Sequence, residues 1–272
     1  MNSLFALSDN AKKSFEQDGV TVLRKAVSTD WVETLRAAIE RDIASPGPFF
    51  HGYEPKDGQG RFHGNLRLWQ HDPDFRTFCL ESYLPALARQ FFGGGRVNML
   101  YDQLFVKEPG TANRTRWHND QPYWPVSGSQ VISFWIALDP VSQHNGALEF
   151  IRGSHLWDRW FQPHSFGETT AIGYDINPDY EEIPDIQASR DDYDILTWDL
   201  APGDCYVFSG MTVHGAGGNR GQTLRRRGYT VRYTGEDVRY DPRVGTSKPL
   251  HDKTLKTGDK LNGDLFPVLI ES

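Results

Sequence analysis

The spacing of apolar residues at the start of the chain predicts short amphipathic elements. One helix is predicted over residues 8–18, and an apolar strand over residues 20–23. Asp30, followed three residues later by Glu33, predicts a second helix start of the capping-box type, with Asp in place of Ser or Thr. Apolar residues then recur on one helical face, and the helix is expected to end before Pro46.

The next segments are a predicted loop and a further helical block. Residues 46–65 are rich in Gly, Pro, His and aromatic residues, which is typical of a long functional or mobile loop. Residues 73–92 return to helical spacing, with Pro73 suited to the first helical position and the glycines at 93–95 ending the block. The N-terminal part, about residues 1–95, is therefore expected to be mainly helical.

From residue 96 onward, short runs of β-favouring residues alternate with Gly, Pro, Asn and Asp. The predicted strands cover residues 97–107, 131–138, 147–151, 195–199, 204–208 and 226–234. Several short strands with turn signals indicate a β-sandwich or barrel. Helices that precede these strands indicate an α+β fold with a mainly β core. Residues 158–193 lack a regular pattern and are interpreted as an insertion between strands.

Composition narrows the class of protein. The 272 residues carry 29 Lys and Arg against 36 Asp and Glu, a net charge of −7 that disfavours nucleic acid as a partner. The longest nearly apolar run, residues 131–138, is far shorter than a membrane span. The first residues lack the basic and apolar segments of a secretory signal. Cys79 and Cys205 form no disulfide framework. We therefore expect a cytoplasmic protein that acts on a small molecule and contacts no membrane.

A single domain over residues 1–272 is expected, because no repeat, low-complexity tract or clear linker interrupts the chain. Its predicted parts are the helical segment to about residue 95, a β core over about 96–240 and a polar tail over 241–272. The sequence leaves the oligomeric state open, and it indicates no function for the tail.

His118 and Asp120 are the sharpest chemical feature of the chain. Side chains on a strand alternate with period two, so a His and an Asp two residues apart are expected to point to the same face. His214, which follows a β-run and opens a Gly-rich turn, completes a set of two imidazoles and one carboxylate. Such a set suits non-haem Fe(II), because it leaves coordination positions open. Surface His and Asp residues are common, so the interpretation depends on a cosubstrate site.

Three consecutive arginines, residues 225–227, provide a candidate for that site. A guanidinium binds a carboxylate through two parallel hydrogen bonds, so one of them could hold the distal carboxylate of 2-oxoglutarate. Alternation places Arg226, Gly228, Thr230 and Arg232 on one face of the strand, where the small residues Gly228 and Thr230 leave room for a cofactor beside Arg226. Arg225 is the alternative, since a β-bulge would shift the face by one residue.

Five sequence blocks together resemble the phytanoyl-CoA dioxygenase (PhyH-like) family of Fe(II)/2-oxoglutarate-dependent oxygenases. The blocks are Lys107-Glu108-Pro109-Gly110, Trp117-His118-Asn119-Asp120, Gly146-Ala147-Leu148-Glu149-Phe150, Arg152-Gly153-Ser154-His155 and the segment from His214-Gly215 to Arg226. The resemblance covers about residues 18–233. It implies a double-stranded β-helix, a cupin-like jelly roll with the N-terminal helices packed outside. It also implies His118, Asp120 and His214 as the iron ligands.

The resemblance further implies cofactor contacts. An arginine at the start of the last core strand would bind 2-oxoglutarate; counting from His214 favours Arg225, whereas aligning the strand itself favours Arg226. Trp135 falls where the family has a Trp that lines the cosubstrate pocket, and Gln103 where it has a residue that reaches the cosubstrate. Ordinary core packing of Trp135 and an edge-strand position for Gln103 are the alternatives.

Candidates for substrate contact come from four places. Arg67 matches a basic residue that the family uses upstream of the metal strand. The other candidates flank the metal strand, lie in the Arg152–His155 block or begin the insertion: Trp117, Tyr123, Trp124, His155 and Trp157.

The resemblance implies an Fe(II)- and 2-oxoglutarate-dependent dioxygenase that uses O₂. We expect it to hydroxylate an unactivated C–H bond of a small molecule with release of succinate and CO₂. Halogenating relatives carry a small residue at the carboxylate position, so the intact Asp120 favours oxygenation. Desaturation, oxidative cyclisation or epimerisation with the same cofactors is one alternative. A non-catalytic, cupin-like metal-binding module is the other.

Overall fold

The structure is a computed structural model that describes residues 6–53, 60–164 and 174–272. Its α-helices all lie before the main β core. They are α1 (Asp9–Asp18), α2 (Thr29–Ala44), α3 (Pro73–Glu81) and α4 (Leu84–Phe92). The predicted helix over residues 8–18 is confirmed, and the block predicted over residues 73–92 is two helices, because the backbone is extended at Ser82.

Serine caps begin the first two helices. The hydroxyl of Ser8 accepts the amide hydrogen of Ala11 before α1, and the hydroxyl of Ser28 accepts that of Trp31 before α2. The predicted cap at Asp30 is therefore wrong. Asp30 lies in the first turn of α2, where a negative charge favours the positive end of the helix dipole.

Short antiparallel strands make up the rest of the core. They are β1 (Val20–Leu23), β2 (His51–Tyr53), β3 (Phe62–Leu66), β4 (Val97–Lys107), β5 (Thr115–His118), β6 (Val126–Ser127), β7 (Val131–Ala137), β8 (Leu148–Ile151), β9 (Ile195–Thr197), β10 (Cys205–Ser209), β11 (His214–Ala216), β12 (Arg226–Thr234), β13 (Arg239–Tyr240) and β14 (Val268–Ile270). Each strand run predicted from the sequence overlaps one of these strands.

Two sheets form a jelly-roll core, which confirms the predicted fold class. The large sheet has the order β1-β10-β7-β12-β4-β3-β2, with β14 also paired to β4. The small sheet has the order β5-β11-β8-β9, and β13 pairs with β6 in a separate ribbon. Side chains of the large and small sheets line one cavity between them, so the strands β4, β7 and β12 form one wall and β5, β8 and β11 the other.

The predicted loop over residues 46–65 is wrong in part, because it contains the hairpin of β2 and β3. This hairpin pairs with β4 through β3 and extends the large sheet. Every residue of β3 is buried, including the polar residues His63 and Asn65. Their polar atoms are paired with the Asp42 carboxylate of α2. Residues 54–59 of the predicted loop lie outside the described residues.

The C-terminal segment completes the core. Strand β14 pairs with β4, and the apolar side chains of Leu250, Leu261 and Phe266 are buried against the same end of the barrel. The sequence did not indicate this packing role, because residues 241–272 are mostly polar and contain only a few widely spaced apolar residues. Of the predicted insertion over 158–193, residues 165–173 lie outside the described part.

The two faces of β12 differ sharply. Tyr229, Val231 and Tyr233 face outward into an apolar cluster with α2, α3 and α4. The alternate residues Arg226 and Thr230 face the cavity between the sheets. Within the described residues, no helix is long and apolar enough to cross a membrane.

Candidate metal and cofactor site

His118, Asp120 and His214 converge between the two sheets. Nε2 of His118 lies 3.3 Å, and Nε2 of His214 4.0 Å, from Oδ1 of Asp120. Ligand atoms of the three residues all lie within 4.8 Å of one another, and the three side chains are buried. Two imidazoles and one carboxylate at these separations fit a facial site for non-haem iron with positions left open for cosubstrates.

Neighbouring strands of the small sheet position these side chains. His118 ends β5 and His214 begins β11, and the two residues are direct partners in the antiparallel register. Asp120 is not on a strand: its backbone angles are helical, and its amide donates to the carbonyl of Gly210. The expected strand alternation is therefore wrong for Asp120, whose carboxylate reaches His118 because the chain turns after β5.

Main-chain carbonyl groups orient both imidazoles. Nδ1 of His118 lies 2.7 Å from the carbonyl oxygen of Arg116, and Nδ1 of His214 lies 3.0 Å from that of Thr212. A carbonyl oxygen only accepts, so each Nδ1 carries a hydrogen and each Nε2 is directed toward the metal position. Burial, together with the neighbouring His118, lowers the pKa of His214 to about 4, which keeps this ring in its neutral, metal-binding form.

Arg232 belongs to this site, although the sequence analysis did not select it. Its Nη2 lies 3.4 Å from Oδ2 of Asp120, and its guanidinium lies over the rings of Tyr101 and Trp124. Burial opposes the charge of Asp120, but Arg232 and the two imidazoles outweigh it and hold the pKa of this carboxyl below its usual range. A signal was available, since Arg232 shares its strand face with Arg226.

A cavity extends from the metal ligands to the start of β12. Its lining residues are Gln103, Phe105, Thr115, His118, Asp120, Trp135, Leu148, Phe208, His214, Arg226, Thr230 and Arg232. Arg226 is 1% exposed, and burial lowers its pKa to about 10, so it stays charged at neutral pH.

Several buried donors in this cavity have no partner among the described residues. Nε of Arg226, Oγ1 of Thr230, and Nε and Nη1 of Arg232 make no hydrogen bond within the described part of the chain. Buried polar groups without partners are destabilising and uncommon. The donor set therefore fits a ligand with several anionic oxygens, and a dicarboxylate such as 2-oxoglutarate meets that requirement.

Arg225, the alternative cofactor contact, faces the other way. Its guanidinium pairs with the carboxylates of Glu40 at 2.6 Å and Glu108 at 2.9 Å, and its side chain is 34% exposed. No bulge shifts β12 at this end, where Arg226 pairs in register with Lys107 of β4. Ordinary strand alternation thus turns Arg226 inward and Arg225 toward solvent, which corrects the alternative.

Trp135 lines the cavity beside Arg226, as expected from the family. Its ring centroid lies 5.3 Å from the Arg226 guanidinium carbon, within range of a cation–π contact. The ring crosses directly over Gly228, where an added Cβ would lie only 2.0 Å from a ring carbon. Gly228 is therefore required by the close approach of the indole rather than by a turn.

Gln103 also lines the cavity, and a residue from the β2–β3 hairpin holds it. Nε2 of Gln103 lies 3.4 Å from Nε2 of His51, whose Nδ1 faces the carbonyl of Phe49 at 3.3 Å. The His51 ring therefore donates from Nδ1 and accepts the Gln103 amide. Burial lowers the pKa of His51 to about 4, which maintains this neutral form. The sequence indicated only a loop here, so His51 was missed.

Two of the substrate candidates lie next to the metal ligands. Tyr123 and Trp117 line a second cavity of about 270 Å³ that also contains His118. Insertion residues Phe161 and Ile183 form its opposite wall. The Tyr123 ring meets the His118 ring edge to face at 5.8 Å, and its hydroxyl donates to the carbonyl of His164.

The remaining substrate candidates have structural contacts elsewhere. Arg67 donates to Gln70 and to the carbonyl of Pro249, which ties β3 to the C-terminal segment. Trp124 is buried and donates to the Tyr101 hydroxyl.

His155 and Trp157 likewise lie away from both cavities. Nε2 of His155 faces the carbonyl of Glu16 in α1 at 3.1 Å, and Trp157 packs near Tyr193. Of these four, none lines either cavity beside the metal ligands. A position near the metal strand in sequence therefore does not by itself place a side chain beside the metal ligands.

Comparison with known proteins identifies a family and several relatives. The sequence model of phytanoyl-CoA dioxygenase (PhyH) matches residues 15–228. The multifunctional dioxygenase prhA of Penicillium brasilianum is 28% identical over 234 residues, covering 82% of this chain and 70% of that protein. Peroxisomal phytanoyl-CoA dioxygenase of Mus musculus is 24% identical over 233 residues, covering 79% of this chain and 65% of that enzyme.

Solved structures share the fold. The carbocyclase SnoK from nogalamycin biosynthesis superimposes with a TM-score of 0.74 at 23% identity, covering 97% of both chains. The epimerase SnoN, solved with Fe³⁺, α-ketoglutarate and nogalamycin RO, gives a TM-score of 0.73 at 22% identity, covering 96% of this chain and 98% of that one.

Proposed function

The chain belongs to the phytanoyl-CoA dioxygenase family and is an oxygenase that depends on iron, 2-oxoglutarate and O₂; on this premise we propose that it hydroxylates an unactivated C–H bond of a small molecule, with release of succinate and CO₂. One observation carries the proposal. Three metal-type ligands and a set of unpaired cationic donors line the same buried cavity.

Each residue has a distinct role in this proposal. His118, Asp120 and His214 hold the iron, with the carbonyls of Arg116 and Thr212 orienting the rings. Bound iron and 2-oxoglutarate together supply the activation of O₂ that oxidation of a C–H bond requires.

The cofactor contacts follow from charge and shape. Arg226 binds the distal carboxylate with help from the Thr230 hydroxyl, because both present buried donors that no described residue accepts from. Trp135 closes the cavity over Gly228 and excludes water, while Gln103 gives a further polar contact. Arg232 keeps Asp120 charged and directed toward the metal position.

A spectroscopic titration tests the metal and cofactor roles. Anaerobic addition of Fe(II) and 2-oxoglutarate to the metal-free protein is expected to produce a visible charge-transfer band. His118→Ala and Asp120→Ala should abolish the band, because each removes a ligand. His71→Ala, which changes an exposed histidine, should leave it intact. A protein that is folded but gives no band would contradict the proposal.

Product mass tests the reaction outcome. Hydroxylation adds one oxygen atom to the substrate, whereas desaturation or ring closure removes two hydrogen atoms and epimerisation leaves the mass unchanged. Succinate release across a panel of small molecules first identifies a substrate, and the mass of its product then decides between these outcomes. Metal binding without succinate release from any of them would favour the non-catalytic module.

A further inference from the structure

A large cleft lies on the outer side of the small sheet and borders the second cavity, which contains Trp117, His118 and Tyr123. It encloses about 590 Å³ between β5, β8, β11 and insertion residues 183–190, a size that suits an organic ligand. Arg116, Trp117 and Ile183 line both this cleft and the cavity that contains His118. A molecule held in the cleft therefore lies next to the cavity that contains His118.

The cleft is basic although the chain is acidic. Four arginines line it, against the two carboxylates of Glu149 and Asp185, whereas the whole chain has a net charge of −7. Glu149 is already engaged, because Arg190 binds it through two hydrogen bonds of 2.7 and 3.0 Å. Asp185 accepts the amide hydrogen of Ala188.

Three of the four arginines are left to face the cleft. Arg114, Arg116 and Arg220 are exposed, and no carboxylate of the described residues lies within ion-pair distance of them. Guanidinium groups bind phosphate and carboxylate oxygens through parallel hydrogen bonds, and a concave wall concentrates their field. The indole of Trp117 adds a flat apolar surface next to them.

We propose that this cleft binds an oxyanion group of the substrate, a phosphate or a carboxylate, while the carbon to be oxidised lies in the adjoining cavity against His118. The inference rests on the proposed function for the role of that carbon. The anion site itself stands on the cleft and its arginines. The substrate is then an organic anion, in spite of the net negative charge of the protein.

Calorimetric titration of the anaerobic protein, loaded with Fe(II) and saturating 2-oxoglutarate, tests the site. The probes are phenyl phosphate, benzoate and uncharged phenol, which share one ring and differ in the charged group. Saturable binding of at least one anion, and at least about tenfold weaker binding of phenol, is expected. The tighter anion identifies the group as a phosphate or a carboxylate. Binding should weaken as salt is added, because the charges are exposed.

Matched variants separate the cleft from other cations. Arg114→Gln/Arg220→Gln should weaken anion binding by at least about tenfold, whereas Lys13→Gln/Arg89→Gln removes the same charge from the helical side and should not. Equal binding by the two variants, or no saturable binding to the intact protein, would overturn the proposal. The charge-transfer band is recorded on the same samples, so its absence would count against the proposed function and leave the anion titration to decide the cleft.

Discussion

The outer and inner faces of strand β12 show how one strand serves stability and ligand binding together. On the outer face, the hydroxyls of Tyr229 and Tyr233 are both paired, one with a carboxyl of β4 and one with a carbonyl of α3. On the inner face, Arg226, Thr230 and Arg232 keep buried donors without partners in the described chain. The two tyrosine hydroxyls help to hold the helices and β4 against β12, whereas the unpaired donors of the inner face line the cavity where a ligand can accept from them.

Loss of the Arg226 charge on the inner face should have the largest effect on ligand binding. Arg226→Gln removes the charge that binds the distal carboxylate, so the affinity for 2-oxoglutarate should fall roughly 100-fold, as for other buried charge pairs that lose one partner. The midpoint of the charge-transfer titration measures this change. Unaltered circular dichroism would show that the fold survives, and an unchanged midpoint would remove Arg226 from the cofactor site.

The outer face should show an effect of comparable size, as a dependence of stability on pH. Asp102 accepts the Tyr229 hydroxyl at 2.6 Å, and burial raises its pKa to about 7. The folded state therefore favours the protonated acid, while the unfolded chain ionises near pH 4. Its stabilising contribution is complete below pH 4 and is lost as the pH rises through 7.

Asp102→Asn tests this sign, because the amide oxygen can still accept from Tyr229. The free energy of unfolding of the native sequence, relative to the variant, should fall by roughly 2–4 kcal/mol between pH 4 and pH 8. Urea unfolding of the metal-free proteins at both pH values measures it. A constant difference between the two proteins would show that Asp102 does not titrate in this range.

A smaller loss of stability is expected at Gly228, where the inner face contacts the Trp135 indole. Gly228→Ala puts a Cβ into the Trp135 ring, so the ring must move, at a cost of roughly 1–3 kcal/mol in stability. Thermal unfolding measures the cost. Trp135→Leu in the same chain should recover part of it by making room, whereas additive losses in the double variant would mean that the two sites do not interact.

The smallest effect is expected for Arg225, the residue next to Arg226. Arg225→Gln removes exposed ion pairs with Glu40 and Glu108, which are worth roughly 0–1 kcal/mol each. Unfolding in urea should show that small loss, and the 2-oxoglutarate titration should stay within about twofold of the native protein. A loss of cofactor affinity comparable to that of Arg226→Gln would reverse the assignment of the two faces.

The strand periodicity could be predicted because it is local. Arg226, Gly228 and Thr230 were expected on one face, and the register with β4 and β7 places them there. The β2–β3 hairpin could not be predicted, because His51, His63 and Asn65 are buried in it although they are polar. Several of its polar groups are paired with residues distant in sequence, as in the contact between His51 and Gln103.

The sequence by itself determined most helices and core strands, the family and the types of side chain available for a metal and a carboxylate. Tertiary structure alone decided which of them meet. His118 and His214 are far apart in the chain and become neighbours only through the pairing of β5 with β11. Asp120 joins them through a turn, and Arg232 acquires its role only when β12 brings it against that carboxylate. Local periodicity sets the face of each side chain, but long-range strand pairing sets its neighbours.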